Sequence, residues 1–361
     1  MKQLVEIVYR KTGKGLQSDG RLLALLFESM GYQTKIIEVP PTPGYRYRIR
    51  LVLDRIYRRF PALLDVSIRV LAFFRSCVIP LRPLLTIQLQ SPIMRYFGVA
   101  HQTWLIPNQE WFREARLIYL PYFDVIMCKT EVACNVFSPF HNGVRYTGFS
   151  GEYVFQSLAE ANTQNNILSA PDHTPPPFFV HFEGKNRRKG SRVLVDAWRL
   201  FPGWPKLVII ADSPDRLLPL PDNVEVRTKA TDSEIKYLQE HALAVLAPSE
   251  VEGFGHTLLE AMSRGALVLT SDAPPMNEIV TASRGMLVKA KWARKIKLGD
   301  GYDASQEDLI SVIESILSMS EGERSHLVAV AQQWVCENHN LFERRLKALV
   351  SDQLPKSQGN S

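Results

Sequence analysis

Residues 248–280 read PSEVEGFGHTLLEAMSRGALVLTSDAPPMNEIV. The apolar run Ala244–Ala247 stands before it and reads as a strand covered on both faces. A loop then carries Glu252-Gly253-Phe254-Gly255. A helix is expected from near Gly255 to Arg264, with Gly265 as its cap and a new strand from Ala266. Glycines ahead of a helix let backbone N–H groups approach an anion closely. The helix N-terminus adds free donors and a favourable dipole. The segment is therefore either a phosphate cradle or a plain strand-to-helix turn. Glu260 lies among Leu258, Leu259, Ala261 and Met262. Turned inward it needs partners such as ribose hydroxyls; turned outward it can pair with Arg264 at i,i+4.

Working outward, short β-rich runs alternate with helical patterns along the whole chain. They are Leu4–Tyr9, Thr34–Val39, Leu84–Leu89, Thr103–Ile106, Val125–Cys128 and Val144–Thr147, then Phe178–Phe182, Lys206–Ala211, Val224–Arg227, Ala244–Ala247, Ala266–Thr270 and Met286–Val288. Helices are expected over Arg21–Met30, Ser191–Leu200, Ser233–His241 and Gln306–Leu317. This alternation predicts an α/β protein with parallel sheets. Residues 162–177, NTQNNILSAPDHTPPP, are polar and then proline-rich and break the rhythm. The expected division is a domain over 1–165, a linker over 166–177, a domain over 178–330 and a C-terminal helix and tail over 331–361. Ligands of such sheets bind beyond the carboxyl ends of the strands, so two facing halves would share a cleft.

The chain has 361 residues, enough for two cores. It is 45% hydrophobic and 22% charged, which excludes wholesale disorder, collagen and coiled coil. Its net charge of +6 suits phosphate-rich ligands or an anionic membrane and is too small to imply nucleic acid. Cys77, Cys128, Cys134 and Cys336 form no CxxC, so neither a disulfide framework nor a structural zinc site is expected. The N-terminal MKQLVEIVYR lacks a signal-peptide pattern, and no run of about 18 apolar residues occurs. A cytoplasmic protein is expected, placed where it can reach the inner face of a membrane.

Taken together, Pro248-Ser249, Glu252-Gly253-Phe254-Gly255, Glu260-Ala261, Gly265 and the Asn277-Glu278-Ile279-Val280 ending closely resemble the donor-site signature of GT-B glycosyltransferases of the family 4 type. Residues 179–198, FVHFEGKNRRKGSRVLVDAW, resemble the strand, basic loop and helix that open the family's donor domain. The resemblance covers residues 178–350 well and the first half weakly. It implies a GT-B fold of two Rossmann-like domains, with the C-terminal helix crossing back to the first. It implies a hexosyltransferase-like enzyme that transfers sugar from a UDP- or GDP-sugar with retention and without a metal. No DxD occurs in the chain.

On this resemblance Lys185 and Lys189 hold the diphosphate, with Arg187 and Arg188 as further candidates. Glu260 binds ribose, Glu252 faces the donor sugar, and Gly253, Phe254 and Gly255 give backbone contacts. Gly13 and Gly15 stand where the family has a glycine loop before its first helix, here expected to start near Ser18 as N-cap. Thr12-Gly13-Lys14-Gly15 is not GxGxxG, which disfavours a dehydrogenase. The usual histidine after a middle strand is absent; Asn108 and Glu110 stand there as catalytic candidates. A glycan or glycolipid acceptor and a polysaccharide-forming setting are implied. Residues 45–76 hold eight arginines among aliphatic and aromatic residues, and read as a surface for an anionic membrane or as a solvated helix pair. The competing class is a non-catalytic nucleotide-sugar or lipid-binding module on the same fold.

Overall fold

The computed structural model describes residues 3–78, 82–154 and 176–354. By contacts the chain forms two units: Met1–Glu152 with Lys297–Gly299 and Asn340–Ser361, and Tyr153–Ile296 with Asp300–His339. The expected linker 166–177 lies, through residue 175, outside the described residues.

In the first unit, β1 (Leu4–Arg10), β2 (Gln33–Val39), β3 (Leu85–Gln90), β4 (Gln102–Pro107), β5 (Val125–Cys128) and β6 (Val144–Tyr146) form one sheet in the order β2-β1-β3-β4-β5-β6. Every pair is parallel, and Val5 sits between Thr34 and Leu85. The near-continuous apolar runs follow from burial on both faces. Helices α1 (Lys14–Ser29), α2 (Gly44–Arg59), α3 (Pro61–Val78) and α4 (Glu131–Phe137) flank the sheet. Phe97, Phe112, Tyr119, Phe123 and Phe137 close one core layer with Leu64 and Ile68 of α3.

Helix α1 starts four residues before the expected Ser18 cap, with Gly13 as an extended N-cap residue. Packing overrides the capping preference here. Leu16 is buried, and Asp19 is buried in an ion pair with Lys129 at 2.5 Å. Such a pair needs Asp19 inside the helix, aimed at the end of β5. Residues 45–76 are a helix pair, broken where Phe60 adopts φ −131° and ψ 78° before Pro61 opens α3. Proline restricts the residue before it and suits a first helical turn.

In the second unit, β7 (Phe178–Gly184), α5 (Ser191–Leu200), β8 (Lys206–Ala211), β9 (Val224–Arg227), α6 (Asp232–His241), β10 (Val245–Ala247), α7 (His256–Ser263), β11 (Val268–Asp272), α8 (Met276–Ile279), β12 (Met286–Ile296), β13 (Gly299–Ala304) and α9 (Gln306–Ser318) follow in turn. The sheet order is β13-β12-β11-β10-β7-β8-β9, and β12 through β9 pair in parallel. Its core joins Phe179, Leu207, Ile209, Leu246 and Leu269 to Trp198 of α5 and to Leu309, Ile313 and Ile316 of α9.

The expected strand Met286–Val288 is the start of a longer one, and β13 is an addition to the sequence reading. The sequence signal is weak because most of β12 and β13 is exposed or half-buried at the sheet edge. Only Lys297 and Leu298 separate the two strands, which makes them an antiparallel hairpin. The last helix, α10 (Glu321–Gln353), belongs to the second unit through His339 and to the first from Asn340. No helix among the described residues is long and apolar enough to cross a membrane.

Candidate functional site

In the second unit the strand order reverses between β7 and β10, whose carboxyl ends are Gly184 and Ala247. In an open α/β sheet this crevice is where ligands bind. Two loops leave it side by side. The loop after β7 runs through Lys185, Asn186, Arg187, Arg188 and Lys189 to Gly190, and α5 begins. The loop after β10 runs from Pro248 to Gly255, and α7 begins.

The two loops are held together by several contacts. Glu250 N–H donates to Arg188 O at 2.8 Å. Lys189 Nζ donates to Glu252 Oε1 at 2.5 Å. Gly190 packs so closely that a Cβ there would stand 2.1 Å from Pro248 O. Gly190 also has φ +82°, in the left-handed region that glycine enters freely. Glu252 is 8% exposed and accepts from Ser249 Oγ at 2.8 Å as well. Ser271 Oγ donates to Ser249 O at 2.9 Å and holds that turn to β11.

Both helices that begin here are led by a left-handed glycine, Gly190 for α5 and Gly255 for α7, with no side-chain cap. Neither carries an acidic residue in its first turn. Two other helices of this unit, α6 and α9, do have side-chain caps. Helix α6 has a full capping box from Thr231 and Glu234, and Ser305 Oγ caps α9. A helix start without a side-chain cap is the arrangement that suits an anion.

Beneath the loops lies a polar layer that the sequence reading did not single out. Arg216 pairs with the buried carboxylate of Glu183. Ser191 Oγ lies 2.6 Å from Glu183 Oε2 and 2.8 Å from His181 Nε2. His181 Nδ1 lies 2.6 Å from Leu246 O. Full burial pushes the His181 imidazole down to about 4, so the neutral ring donates from Nδ1 to that carbonyl. These groups tie the first residue of α5 to β7 and β10. Their signal was present in FVHFEG, where His181 and Glu183 alternate with apolar residues.

The structure brings Lys189, Glu252, Gly253, Phe254 and Gly255 into this one place. Lys185 and Arg187 are exposed on the loop after β7, and Arg188 lies 3.8 Å from Glu250. Glu260 lies in the second turn of α7 and pairs with Arg264 at 3.1 Å. In the first unit Gly13 precedes α1, and Gly15 lies in its first turn. Asn108 follows β4 with its Oδ1 buried and unbonded among the described residues. Glu110 is buried beside the hairpin-tip residue Gly299. No group of three or more His, Cys, Asp or Glu among the described residues is placed to hold a metal ion.

The family model of glycosyl transferases group 1 matches residues 175–298. A glycosyltransferase from Rickettsia africae ESF-5 superposes with a TM-score of 0.64 at 13% identity, over 99% of this chain and 100% of that one. Sucrose-phosphate synthase from Thermosynechococcus elongatus gives 0.67 at 14% identity, over 97% and 99%. HepE from Anabaena, in complex with UDP and glucose, gives 0.57 at 12% identity, over 96% and 99%. Comparison with curated proteins finds no match to this sequence. The matched segment contains both loops and both uncapped helix starts described above. Residues 175–298 are therefore similar to the glycosyl transferases group 1 family, in a chain that shares the GT-B fold of these solved structures.

Proposed function

We propose that the protein is a glycosyltransferase that moves a sugar from a UDP- or GDP-sugar to an acceptor hydroxyl, with retention and without a metal. The observation that carries this reading is the pair of uncapped, glycine-led helix starts beside Lys189 at the β7/β10 switch point. As the anomeric carbon loses its nucleotide diphosphate, charge grows on the leaving oxygens. Fixed N–H donors and a cation stabilise that charge without rearranging. Lys189 Nζ is the cation of this design, and Glu252 holds it on the crevice side of the loop. Glu252 and Gly253–Gly255 face the sugar and phosphate, and Glu260 takes the ribose hydroxyls by exchanging its Arg264 contact. Lys185 adds a second positive charge on the exposed loop. Gly13 and Gly15 are proposed as donor-binding residues, and Asn108 and Glu110 as catalytic ones. The relative with bound UDP and glucose supports a nucleotide-sugar donor.

The test is thermal stabilisation by UDP, GDP and ADP and their sugars, followed by sugar-dependent release of the stabilising nucleotide. One nucleotide is expected to raise the melting temperature of wild type and to lose its effect in Glu260→Ala. Turnover with a supplied glycan acceptor separates a transferase from a binding module. No response to any nucleotide would remove the reading.

The same proposal places the protein at the cytoplasmic face of an anionic membrane, where a glycolipid or polysaccharide precursor is reached. Tyr45, Ile49, Phe60, Phe73, Phe74 and Val78 of the α2–α3 region are exposed large apolar residues. Arg46, Arg48, Arg55, Arg58, Arg59 and Arg69 belong to the same two helices. Apolar insertion with cationic flanks is the chemistry of interfacial helices. Sedimentation with phosphatidylglycerol vesicles is expected for wild type and lost in a Phe73→Ser, Phe74→Ser variant. Equal sedimentation of both proteins would refute this placement.

A further inference from the structure

The first unit has its own switch point. Its order β2-β1-β3 reverses at β1 and β3, whose carboxyl ends are Arg10 and Gln90. Around that edge the structure gathers cations from four separate stretches of chain. Helix α2 turns Tyr47, Arg50 and Asp54, spaced i, i+3 and i+7, to one face. Asp54 Oδ1 accepts from Tyr119 at 2.7 Å, and Arg113 lies over the Tyr47 ring at 4.9 Å. That face therefore packs on the segment that carries Arg113, Arg116 and Tyr119. Arg50 Nη2 donates to Pro92 O at 2.6 Å, and Arg95 lies over the Tyr96 ring at 5.0 Å.

Arg116 is 8% exposed. Its Nε, like that of Arg10, is buried without a hydrogen-bond partner among the described residues. Gln88 Nε2, on β3 beside Val8 of β1, is a third such donor. Burial pushes both guanidinium groups down to about 10, with Arg50 and Arg95 acting on Arg10, and Arg50, Arg10 and Arg113 acting on Arg116. Asp54 is the one carboxylate that opposes this at Arg116. Burying an ionised side chain with a donor left unbonded is costly, and like-charged neighbours, two at Arg10 and three at Arg116, raise the cost. An anion carrying more than one charge would relieve both terms. Guanidinium forks match the oxygens of a phosphate in geometry.

We propose that Arg10, Arg50, Arg95, Arg113 and Arg116 form a phosphate-binding site and that the acceptor is a phosphate-bearing molecule. The word acceptor rests on the glycosyl-transfer reading; the anion site does not. A soluble sugar phosphate and a phospholipid headgroup share this chemistry. The proposed function puts the donor diphosphate on the loops of the second unit, so on that reading this site is left to the other substrate.

The experiment titrates the full chain with glycerol 3-phosphate, with sodium chloride at matched ionic strength and glycerol as controls, and with UDP as a separate arm. Vesicles of phosphatidylcholine with and without phosphatidic acid form the lipid arm. Wild type is expected to bind glycerol 3-phosphate or the phosphatidic acid vesicles. Arg116→Gln is expected to weaken that binding by about tenfold or more. The same variant should keep its UDP affinity, which separates loss of the phosphate site from loss of the fold. If it fails to fold, Arg10→Gln at the end of β1 serves instead. Loss confined to vesicles assigns a lipid headgroup, and loss confined to glycerol 3-phosphate assigns a soluble phosphate; each supports the site. Absence of any phosphate response in wild type, or an undiminished response in both variants, overturns it. An equal loss of UDP binding would put the arginines on the donor and overturn the acceptor assignment. Phosphate binding without any UDP binding would leave the anion site standing and remove the acceptor label with the transferase reading.

Discussion

Gly190→Ala is expected to lower the melting temperature of the second unit by about 10 °C. Two effects add. A residue with a Cβ at φ +82° is strained by about 1–2 kcal/mol. The new Cβ would also stand 2.1 Å from Pro248 O, a backbone atom that cannot rotate away. One loop must move off the other, which breaks the Glu250 N–H to Arg188 O bond and the approach of Lys189 to Glu252. A total of about 3–5 kcal/mol is reasonable for a clash at a special backbone position. For a unit of this size that converts to roughly 10 °C. Gly203→Ala is the control, since a Cβ there meets nothing within 4 Å. It should melt within about 1–2 °C of wild type. Calorimetry on the three proteins decides the matter, and near-identical melting of Gly190→Ala and wild type would refute the close approach.

Lys189 and Glu252 should respond in opposite directions. Lys189→Met removes the cation and leaves Glu252, 8% exposed, with Ser249. Nucleotide affinity is expected to fall by about 30–100-fold, the scale for losing one partner of a desolvated charge contact. Glu252→Gln keeps the volume and a hydrogen bond but releases Lys189 Nζ from its carboxylate. Affinity for the bare nucleoside diphosphate should then hold or rise. If Glu252 has its proposed role, sugar transfer should fall by about 100-fold or more, because the donor sugar would lose its carboxylate partner. Isothermal titration with the stabilising nucleotide, beside initial rates, gives both readouts. Equal loss of nucleotide binding in the two variants would mean that the pair merely braces the loops.

Much of this architecture was legible before any coordinates. Strands such as Leu4–Tyr9, Val125–Cys128, Phe178–Phe182 and Lys206–Ala211 announce themselves because strands covered on both faces are almost wholly apolar. Gly265 as a helix cap and Gly255 at a helix start were readable because left-handed positions select glycine. The misreadings have a common cause. Ser18 looked like a cap because it is a good one locally, yet burial of Leu16 and Asp19 carries α1 back to Lys14. The β12–β13 hairpin escaped notice because an exposed edge strand owes its form to its neighbour and not to its own hydrophobicity. Residues 45–76 were identified as cationic and amphipathic, but which arginines face inward was not readable. Arg50 shares a face with Asp54, whose carboxylate accepts from Tyr119, 65 positions further on.

By itself the sequence determined the α/β alternation, the glycine-marked turns and the motif of residues 248–280, because each depends on chemistry within a few neighbouring positions. Tertiary structure decided the partnerships. Lys189 meets Glu252 across 63 positions, His181 meets the Leu246 carbonyl across 65, and arginines from 10 to 116 converge at one sheet edge. The physical reason is the parallel sheet. Each crossover returns the chain to the same edge, and the order β2-β1-β3 in one unit and β10-β7-β8 in the other sets which distant strand ends become neighbours.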